Sequence, residues 1–122
     1  MDLGLQKKTA IVTGGASNIG KAITEGLFEE GANVVIADID EQQAELVVAQ
    51  LRSSGRDDVL FVKTDVGDRH QVEHMAECAL ERFGQIDILV NNAGWTNNAL
   101  FISKPWSDFE REIAINLWGP IY

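Results

Sequence analysis

The sequence predicts an α/β fold built on a doubly wound parallel sheet. Four short apolar runs, rich in β-branched residues, have the composition of buried parallel strands and lie at 9–12, 33–37, 59–62 and 86–90. They begin about 25 residues apart, which accommodates a strand, a helix and the return to the sheet in each right-handed crossover unit. The stretches between the runs each end at a glycine, as helices commonly do, at Gly31, Gly55 and Gly84.

Apolar periodicity and capping residues predict where the helices lie. They are expected from Lys21 to Glu30, from Glu41 to about Ser54, from Arg69 to Phe83 and from Asp108 to about Leu117. Asp40, Asp68 and the pair Ser107 and Glu110 suit the starts of the last three. Gly119-Pro120 is expected to interrupt the fourth. The predicted core faces are formed by Ile19, Ala22, Ile23, Gly26 and Leu27 in the first helix, by Ala44, Val47, Val48 and Leu51 in the second, and by Val72, Ala76, Ala79 and Phe83 in the third.

Composition and charge indicate one globular domain and exclude several kinds of partner. The chain has 122 residues, of which 45% are hydrophobic and 24% charged, so it has room for a single core. The net charge of −9, without a cluster of Lys and Arg, argues against nucleic acid and against an anionic membrane as partners. One cysteine, no leader-like apolar run and no stretch of the ~20 apolar residues that span a bilayer predict a cytoplasmic protein.

The first strand runs into a glycine-rich turn, Thr13 to Gly20, that opens the first helix. Glycines allow a sharp turn and a close approach of a ligand to the backbone. The unpaired N–H groups and the positive end of the helix dipole face an anion. The turn therefore predicts a phosphate-binding site, whose candidate residues are Gly14, Ser17, Asn18, Ile19 and Gly20.

Asp38 stands at the end of the second strand, close to the ~20-residue separation at which an acidic residue reaches the ribose of a dinucleotide. A carboxylate accepts hydrogen bonds from two hydroxyls and repels a 2′-phosphate. Neither Ser17 nor Ile39 carries the positive charge that a phosphorylated ribose needs. These residues favour NAD over NADP as the cofactor. An alternative role for Asp38 is to cap the end of its strand, and the glycine turn favours the cofactor interpretation.

Further candidates follow the third and fourth strands. Asp65 is placed to accept a hydrogen bond from an exocyclic amine such as that of adenine, or to cap the next helix. Asn91 and Asn92 carry amides that can tie neighbouring strand ends together, while Ala93 and Gly94 leave space for a flat ring. The same four residues also suit an ordinary tight turn.

Together these residues resemble the N-terminal half of the short-chain dehydrogenase/reductase family. The resemblance covers nearly the whole chain and rests on the order of the glycine turn, Asp38, Asp65-Val66, Asn91-Asn92-Ala93-Gly94, and Asn116 within Ile115-Asn116-Leu117-Trp118-Gly119. It implies a Rossmann-type fold that binds NAD or NADP. It also implies an oxidoreductase that transfers hydride between the nicotinamide and a small-molecule alcohol or carbonyl substrate.

The resemblance implies a role for each matching position. Asn116 would anchor a water-mediated proton relay. Asn18 stands where the family usually has a second glycine; since asparagine tolerates positive φ, we expect the turn to survive with a side chain that can crowd the pyrophosphate. The pyrophosphate side would be held by Gly14, Ile19 and Gly20, the ribose hydroxyls by Asp38, the adenine by Asp65 and Val66, and the nicotinamide side by Asn91, Ala93 and Gly94.

The family's downstream serine and Tyr-x-x-x-Lys pair have no counterpart in the chain, whose one tyrosine is Tyr122. In the family that tyrosine transfers a proton and the lysine lowers its pKa. We therefore expect residues 1–122 to be a single, truncated NAD-binding domain, inactive alone because acid–base chemistry worth ~10²–10⁴ in rate is missing. The alternative is a non-catalytic nucleotide-binding or interaction module that ends naturally at Tyr122.

His70, His74 and Cys78 recur every four residues on the third predicted helix, a spacing that can stack metal ligands on one face. The helical wheel places all three opposite the apolar residues, on the solvent face. A structural zinc normally needs four ligands, so no metal site is predicted. Among the tryptophans, Trp95 is the candidate for lining a substrate pocket because it follows Gly94 directly.

The fourth apolar run has no fifth strand after it in the chain. It is expected to form an exposed apolar edge unless residues 95–118 or another chain cover it. This edge predicts a homo-oligomer or an aggregation-prone chain.

Overall fold

The computed structural model describes all 122 residues and contains one parallel sheet of four strands. The strands are β1 (Thr9–Thr13), β2 (Asn33–Asp38), β3 (Val59–Lys63) and β4 (Ile88–Val90). They lie in the order β3-β2-β1-β4, so the chain crosses from one side of β1 to the other between β3 and β4. The predicted doubly wound α/β fold is confirmed.

The fourth strand is shorter than its apolar run. Thr9 donates its N–H to Oδ2 of Asp87 at 2.8 Å, and Asp87 donates its own N–H to Thr9 O at 2.9 Å. Because a side chain takes the place of a backbone acceptor here, the regular ladder begins only at Ile88, paired with Ala10.

Three helices connect the strands: α1 (Asn18–Glu29), α2 (Glu41–Arg52) and α3 (Arg69–Phe83). Asp40 caps α2 by accepting a hydrogen bond from Gln43 N–H at 3.1 Å, as predicted. Gly84 ends α3 with φ at +79°. After β4 come a short 3₁₀ helix (Phe101–Ser103), α4 (Trp106–Ile113), a π-helical segment (Ala114–Trp118) and α5 (Gly119–Ile121).

Apolar residues form one core on each face of the sheet. On one face α1 and α2 pack over Val12, Val34, Ile36 and Val59. The predicted core residues of α2 are all buried: Ala44, Val47, Val48 and Leu51. On the other face α3 packs over the side chains of Ile11, Val35, Ala37 and Val62. Both layers leave the carboxyl ends of the strands open for the loops that follow them.

The buried face of α1 differs from the predicted one. Its buried residues are Gly20, Thr24 and Phe28. Of the predicted face, Ile23 and Leu27 pack partly buried against the core, whereas Ile19 is 71% exposed. Thr24 faces inward because its hydroxyl donates to Gly15 O at 3.1 Å. A polar contact with the glycine turn thus sets the rotation of the helix.

The buried face of α3 also differs from the predicted one. Met75, absent from the predicted face, is 3% exposed and packs on the sheet with Ala79. Cys78 packs against the same core, so placing it on the solvent face with His70 and His74 was wrong. Its Sγ lies 3.5 Å from His74 Nε2. No group of three or more His, Cys, Asp or Glu side chains is arranged to hold a metal ion.

The C-terminal helices begin and continue differently from the prediction. Pro105 precedes α4 and Ser107 lies inside it without a capping hydrogen bond, so the predicted capping box is absent. Helical backbone also continues through Gly119-Pro120. Gly119 donates its N–H to Ala114 O, five residues back, and this wider π-helical turn accommodates Pro120, which has no N–H to donate.

β4 is an edge strand, as expected, with Leu89 52% exposed. No helix is both long and apolar enough to cross a bilayer.

Candidate functional site

A cleft of about 360 Å³ opens at the carboxyl ends of β1, β2 and β4. This is where open α/β sheets bind ligands, because the strand order reverses beside β1. The cleft brings together most of the predicted site residues. Its lining consists of Gly14, Ser17, Asn18, Ile19, Gly20, Asp38, Ile39, Asn92, Ala93, Gly94, Trp95, Arg111 and Ile115.

The glycine turn forms one wall of the cleft. Asn18 has φ at +51°, so asparagine does adopt the left-handed backbone expected of it. No larger residue fits at position 20, because a Cβ added to Gly20 would lie 1.9 Å from Gly14 O. Lys21 donates the first backbone bond of α1, to Ser17 O at 3.1 Å, and the N–H groups before it lack an intrahelical partner. They can therefore serve an anion in the cleft.

Asp38 lies beside the turn at the end of β2 and is 9% exposed. Its Oδ2 accepts the N–H of Ala16 at 3.0 Å, and its Oδ1 accepts the N–H of Asp40 at 2.9 Å. An ionised carboxylate has about four acceptor positions. Two of them are still available to hydroxyl groups of a ligand, so the arrangement fits a ribose.

Asn92 fixes β4 to the turn. Its side-chain Nδ2 donates to Thr13 O at 3.0 Å and to Gly14 O at 3.2 Å. Thr13 Oγ1 in turn accepts the N–H groups of Asn92 and Ala93, each at 3.0 Å. Of the two predicted amides, Asn92 is the one that ties the strand ends together.

The opposite wall is held by Asn116 of the π-helical segment. Its Oδ1 accepts the N–H of Trp95 at 2.9 Å, and its Nδ2 donates to Trp95 O at 2.8 Å. The Arg111 guanidinium lies 5.3 Å from the centroid of the Trp95 ring. Asn116 therefore sets the backbone position of Trp95, while Arg111 supplies the one cationic side chain in the lining.

Glu112 anchors the loop that follows Trp95. Its Oε1 accepts hydrogen bonds from Thr96 Oγ1 and Asn97 N, each at 2.9 Å, and it is paired with Lys104. The Lys104 ammonium, followed by the Asn97 and Thr96 hydrogen bonds, lowers the pKa of Glu112 to about 2. Asp108 Oδ2 also accepts a hydrogen bond from Asn97 Nδ2 at 2.6 Å, so two carboxylates of α4 fasten this loop.

Besides Asn116, three predicted cofactor-binding residues do not line the cleft. Asp65 Oδ1 accepts the N–H of Gly67 at 2.9 Å, in the connection from β3 to α3. Val66 and Asn91 border a smaller apolar cavity of about 160 Å³ between α3, β4 and α5. Their roles in cofactor binding stay predictions.

Arg111 is the residue of the cleft that no sequence motif indicated. It lies one helical turn before Ile115 and on the same side of the helix, and Ile115 also lines the cleft. The pairing of Asn116 with Trp95, together with the packing of Gly119 against Val66 and of Ala114 against Gly67, brings this face toward the turn. Without those tertiary contacts, Arg111 reads as an ordinary exposed helix residue.

The fold and the cleft define a Rossmann-like α/β protein with an open site at the carboxyl ends of its strands. The short chain dehydrogenase family matches the chain over residues 8–122. The chain belongs to this family.

The curated relatives are more than twice as long as the segment that matches this chain. An uncharacterized oxidoreductase of Thermotoga maritima is 43% identical over 116 residues, covering 95% of this chain and 45% of the relative. A 3beta-hydroxysteroid dehydrogenase 2 of Eggerthella lenta is 41% identical over 119 residues, covering 97% and 45%. The chain therefore spans about half the length of the curated relatives it matches.

Solved structures show the same fold. A short chain dehydrogenase/reductase of Burkholderia phymatum in complex with NAD superposes with a TM-score of 0.91 at 33% identity, covering 96% of this chain and 41% of that one. A 3-ketoacyl-(acyl-carrier-protein) reductase of Brucella melitensis complexed with NADH gives 0.88 at 33% identity, covering 96% and 47%.

Proposed function

We propose that residues 1–122 form the NAD(H)-binding domain of an oxidoreductase that acts on a small-molecule alcohol or carbonyl compound. The observation that carries the proposal is the single cleft in which the glycine turn and Asp38 meet. The NAD and NADH complexes of structurally similar proteins support the same cofactor class.

The turn is proposed to bind the pyrophosphate. The N–H groups at the start of α1 and its dipole favour an anion, and Gly20 lets the backbone of the turn close tightly. Arg111 adds positive charge from the opposite wall, and no carboxylate is paired with it. In a protein of net charge −9, these local groups must supply the attraction for a dianionic cofactor.

Asp38 is proposed to select NAD over NADP. Its remaining acceptor positions suit the two ribose hydroxyls, whereas a 2′-phosphate would approach a buried carboxylate. Like charges so placed cost several kcal/mol. Ile39, the next residue in the lining, brings no compensating cation.

Bound NAD(H) supplies the hydride donor or acceptor. Ala93 and Gly94 give the nicotinamide end a flat backbone surface, and Asn116 fixes Trp95 beside it. The role of Asn116 in a proton relay stays a prediction, since its amide is engaged by Trp95. We further propose that this 122-residue chain forms homo-oligomers, because the β4 edge exposes Leu89, and that it is cytoplasmic, because it carries one unpaired cysteine.

Calorimetric titration of the protein with NADH and with NADPH tests the proposal. NADH is expected to bind at least about 10-fold more tightly, because the 2′-phosphate meets the Asp38 carboxylate. Failure of both to bind would remove the assigned function, and tighter binding of NADPH would remove the role of Asp38.

The variant Ile39→Arg sharpens the same titration. Ile39 is 55% exposed, so an arginine can be accommodated at the cleft edge and should raise the affinity for NADPH. Leu46→Arg is the matched control, because Leu46 is 60% exposed on α2 and does not line the cleft. Equal gains in the two variants would point to net charge instead of a local contact.

A further inference from the structure

The Asp38 carboxylate makes a contact that a purely ligand-binding residue does not need. Its Oδ2 accepts the N–H of Ala16 at 3.0 Å, and this hydrogen bond is buried and joins residues 22 positions apart. Ala16 lies in the middle of the glycine turn and is 1% exposed. The contact therefore connects the end of β2 to the interior of the turn in the absence of any ligand.

Few other bonds hold this part of the turn to β2. Gly14 donates its N–H to Ala37 O at 2.7 Å, which fixes only the entrance of the turn. Thr24 Oγ1 donates to Gly15 O at 3.1 Å, which fixes the turn to α1. The Ala16 N–H has the Asp38 carboxylate as its acceptor, so removing that acceptor leaves a buried donor unpaired.

We propose that Asp38 is a positioning residue of the phosphate-binding turn, in addition to its assigned contact with the ribose. The hydrogen bond to Ala16 fixes the middle of the turn, and with it the direction of the N–H groups that follow. Substitution at position 38 then weakens the site at the pyrophosphate as well as at the ribose. A neutral residue there does not by itself produce tight NADPH binding. Only these statements about cofactors rest on the proposed function.

Two properties of the carboxylate suit it to this role. Its two oxygens accept N–H groups on both sides of the strand end, from Ala16 and from Asp40. An asparagine in the same place has one acceptor oxygen for these two donors, and its NH₂ group would face one of them. Asp38→Asn keeps the volume of the side chain and removes one of the two bonds.

Hydrogen exchange measured by NMR in the ligand-free protein tests the inference without any cofactor. In Asp38→Ala, which removes both acceptor oxygens, exchange of the Ala16 amide should rise about 10-fold or more relative to the wild-type protein. In Asp38→Asn, exchange should rise at the Ala16 amide or at the Asp40 amide, whichever loses its acceptor. The amide of Val35, at the centre of the sheet, should keep its wild-type exchange rate and so report an intact core. Asp40→Asn is the control, since it removes a nearby charge but retains an oxygen that can cap α2.

A second measurement uses only the wild-type protein, so it does not depend on whether a variant folds. In the wild-type protein, a scalar coupling across the hydrogen bond should connect the Ala16 amide nitrogen to the Asp38 carboxylate carbon. Absence of that coupling, or wild-type Ala16 exchange in Asp38→Ala, would overturn the inference. If NADH fails to bind while the coupling and the exchange respond as expected, the proposed function fails and the positioning role stands.

Discussion

Residues 9–93 and residues 95–122 are held together in different ways. The first region contains both apolar cores, and the side chains of β1 are buried along its whole length. The second region buries one residue, Ile115, and exposes Phe101, Ile102 and Trp106. It is held together mainly by polar contacts within the region, made by Glu112 and Asn116. Substitutions in the first region should act through packing and through the hydrogen bonds that tie the strand ends together, whereas those in the second should act through single hydrogen bonds, of which those of Glu112 respond to pH.

Gly20→Ala should have the largest effect of the substitutions considered. The new Cβ would lie 1.9 Å from Gly14 O and 2.5 Å from Asn92 Nδ2, so the turn must open. We expect a loss of about 3 kcal/mol or more in the free energy of unfolding and the loss of detectable NADH binding. Chemical denaturation and NADH titration measure the two effects.

Gly26→Ala is the matched control on the same helix. Nothing lies within 4 Å of an added Cβ at Gly26, and alanine is the better helix former by about 1 kcal/mol. This variant should be as stable as the wild-type protein or more so. Similar losses in both variants would contradict the steric account of the turn.

Asn92→Ala should break the connection between β4 and the turn. It removes two side-chain hydrogen bonds to the backbone oxygens of Thr13 and Gly14. The expected cost is about 1–3 kcal/mol in the free energy of unfolding. Asn91→Ala, at the preceding and exposed position, should lower the free energy of unfolding much less. A larger loss for Asn91→Ala than for Asn92→Ala would reverse the assignment of the two amides.

Asn116→Ala should loosen the second region without unfolding the first. Asn116 is exposed and holds both backbone groups of Trp95, so we expect a loss of about 1 kcal/mol. Faster hydrogen exchange at the Trp95 amide, with unchanged exchange at Val35, is the expected result. Asn98→Ala, at an exposed position in the same loop, serves as the control. Faster exchange throughout the sheet would contradict the separation of the two regions.

Lowering the pH should loosen the second region by protonating Glu112. This is expected to be the smallest of these effects on the stability of the whole molecule. The pKa of this carboxyl is lowered in the folded protein to about 2 from an ordinary value of 4.5. Its stabilising contribution is therefore complete above about pH 4.5 and is lost as the pH falls towards 2. Exchange of the Asn97 amide, corrected for the intrinsic pH dependence, should rise across that window.

Glu112→Gln should remove this pH dependence, whereas Glu110→Gln, at an exposed position of α4, should retain it. Persistence of the transition in Glu112→Gln would assign it to another group.

The same division explains how far the fold could be predicted. The strands of the first region and the core face of α2 follow from apolar periodicity, because there burial and local sequence pattern agree. The rotation of α1 could not be predicted from apolarity, since Thr24 is drawn inward by a bond to Gly15 O. The start of α4 follows Pro105 and not the capping pair that the sequence offered. The helical path through Gly119-Pro120 depends on a π-helical turn, which has no apolar signature.

The candidate site shows the same limit. The glycine turn and Asp38 carry their chemistry in local sequence, and both line the cleft. Arg111 reaches the cleft through tertiary contacts such as that of Asn116 with Trp95. Asn91 and Asn92 have different neighbours although their side chains are identical. Such assignments need the tertiary structure.

The most direct test of the account is an NMR titration of the ¹⁵N-labelled protein with NAD. We expect chemical-shift changes concentrated at the amides of residues 14–20, 38–39 and 92–95, around the cleft. Amides of Met75 and Leu89, which border the smaller cavity on the other face, should move little. Shifts centred on that second cavity, or no shifts at all, would contradict the claim that the cleft beside the glycine turn binds the cofactor.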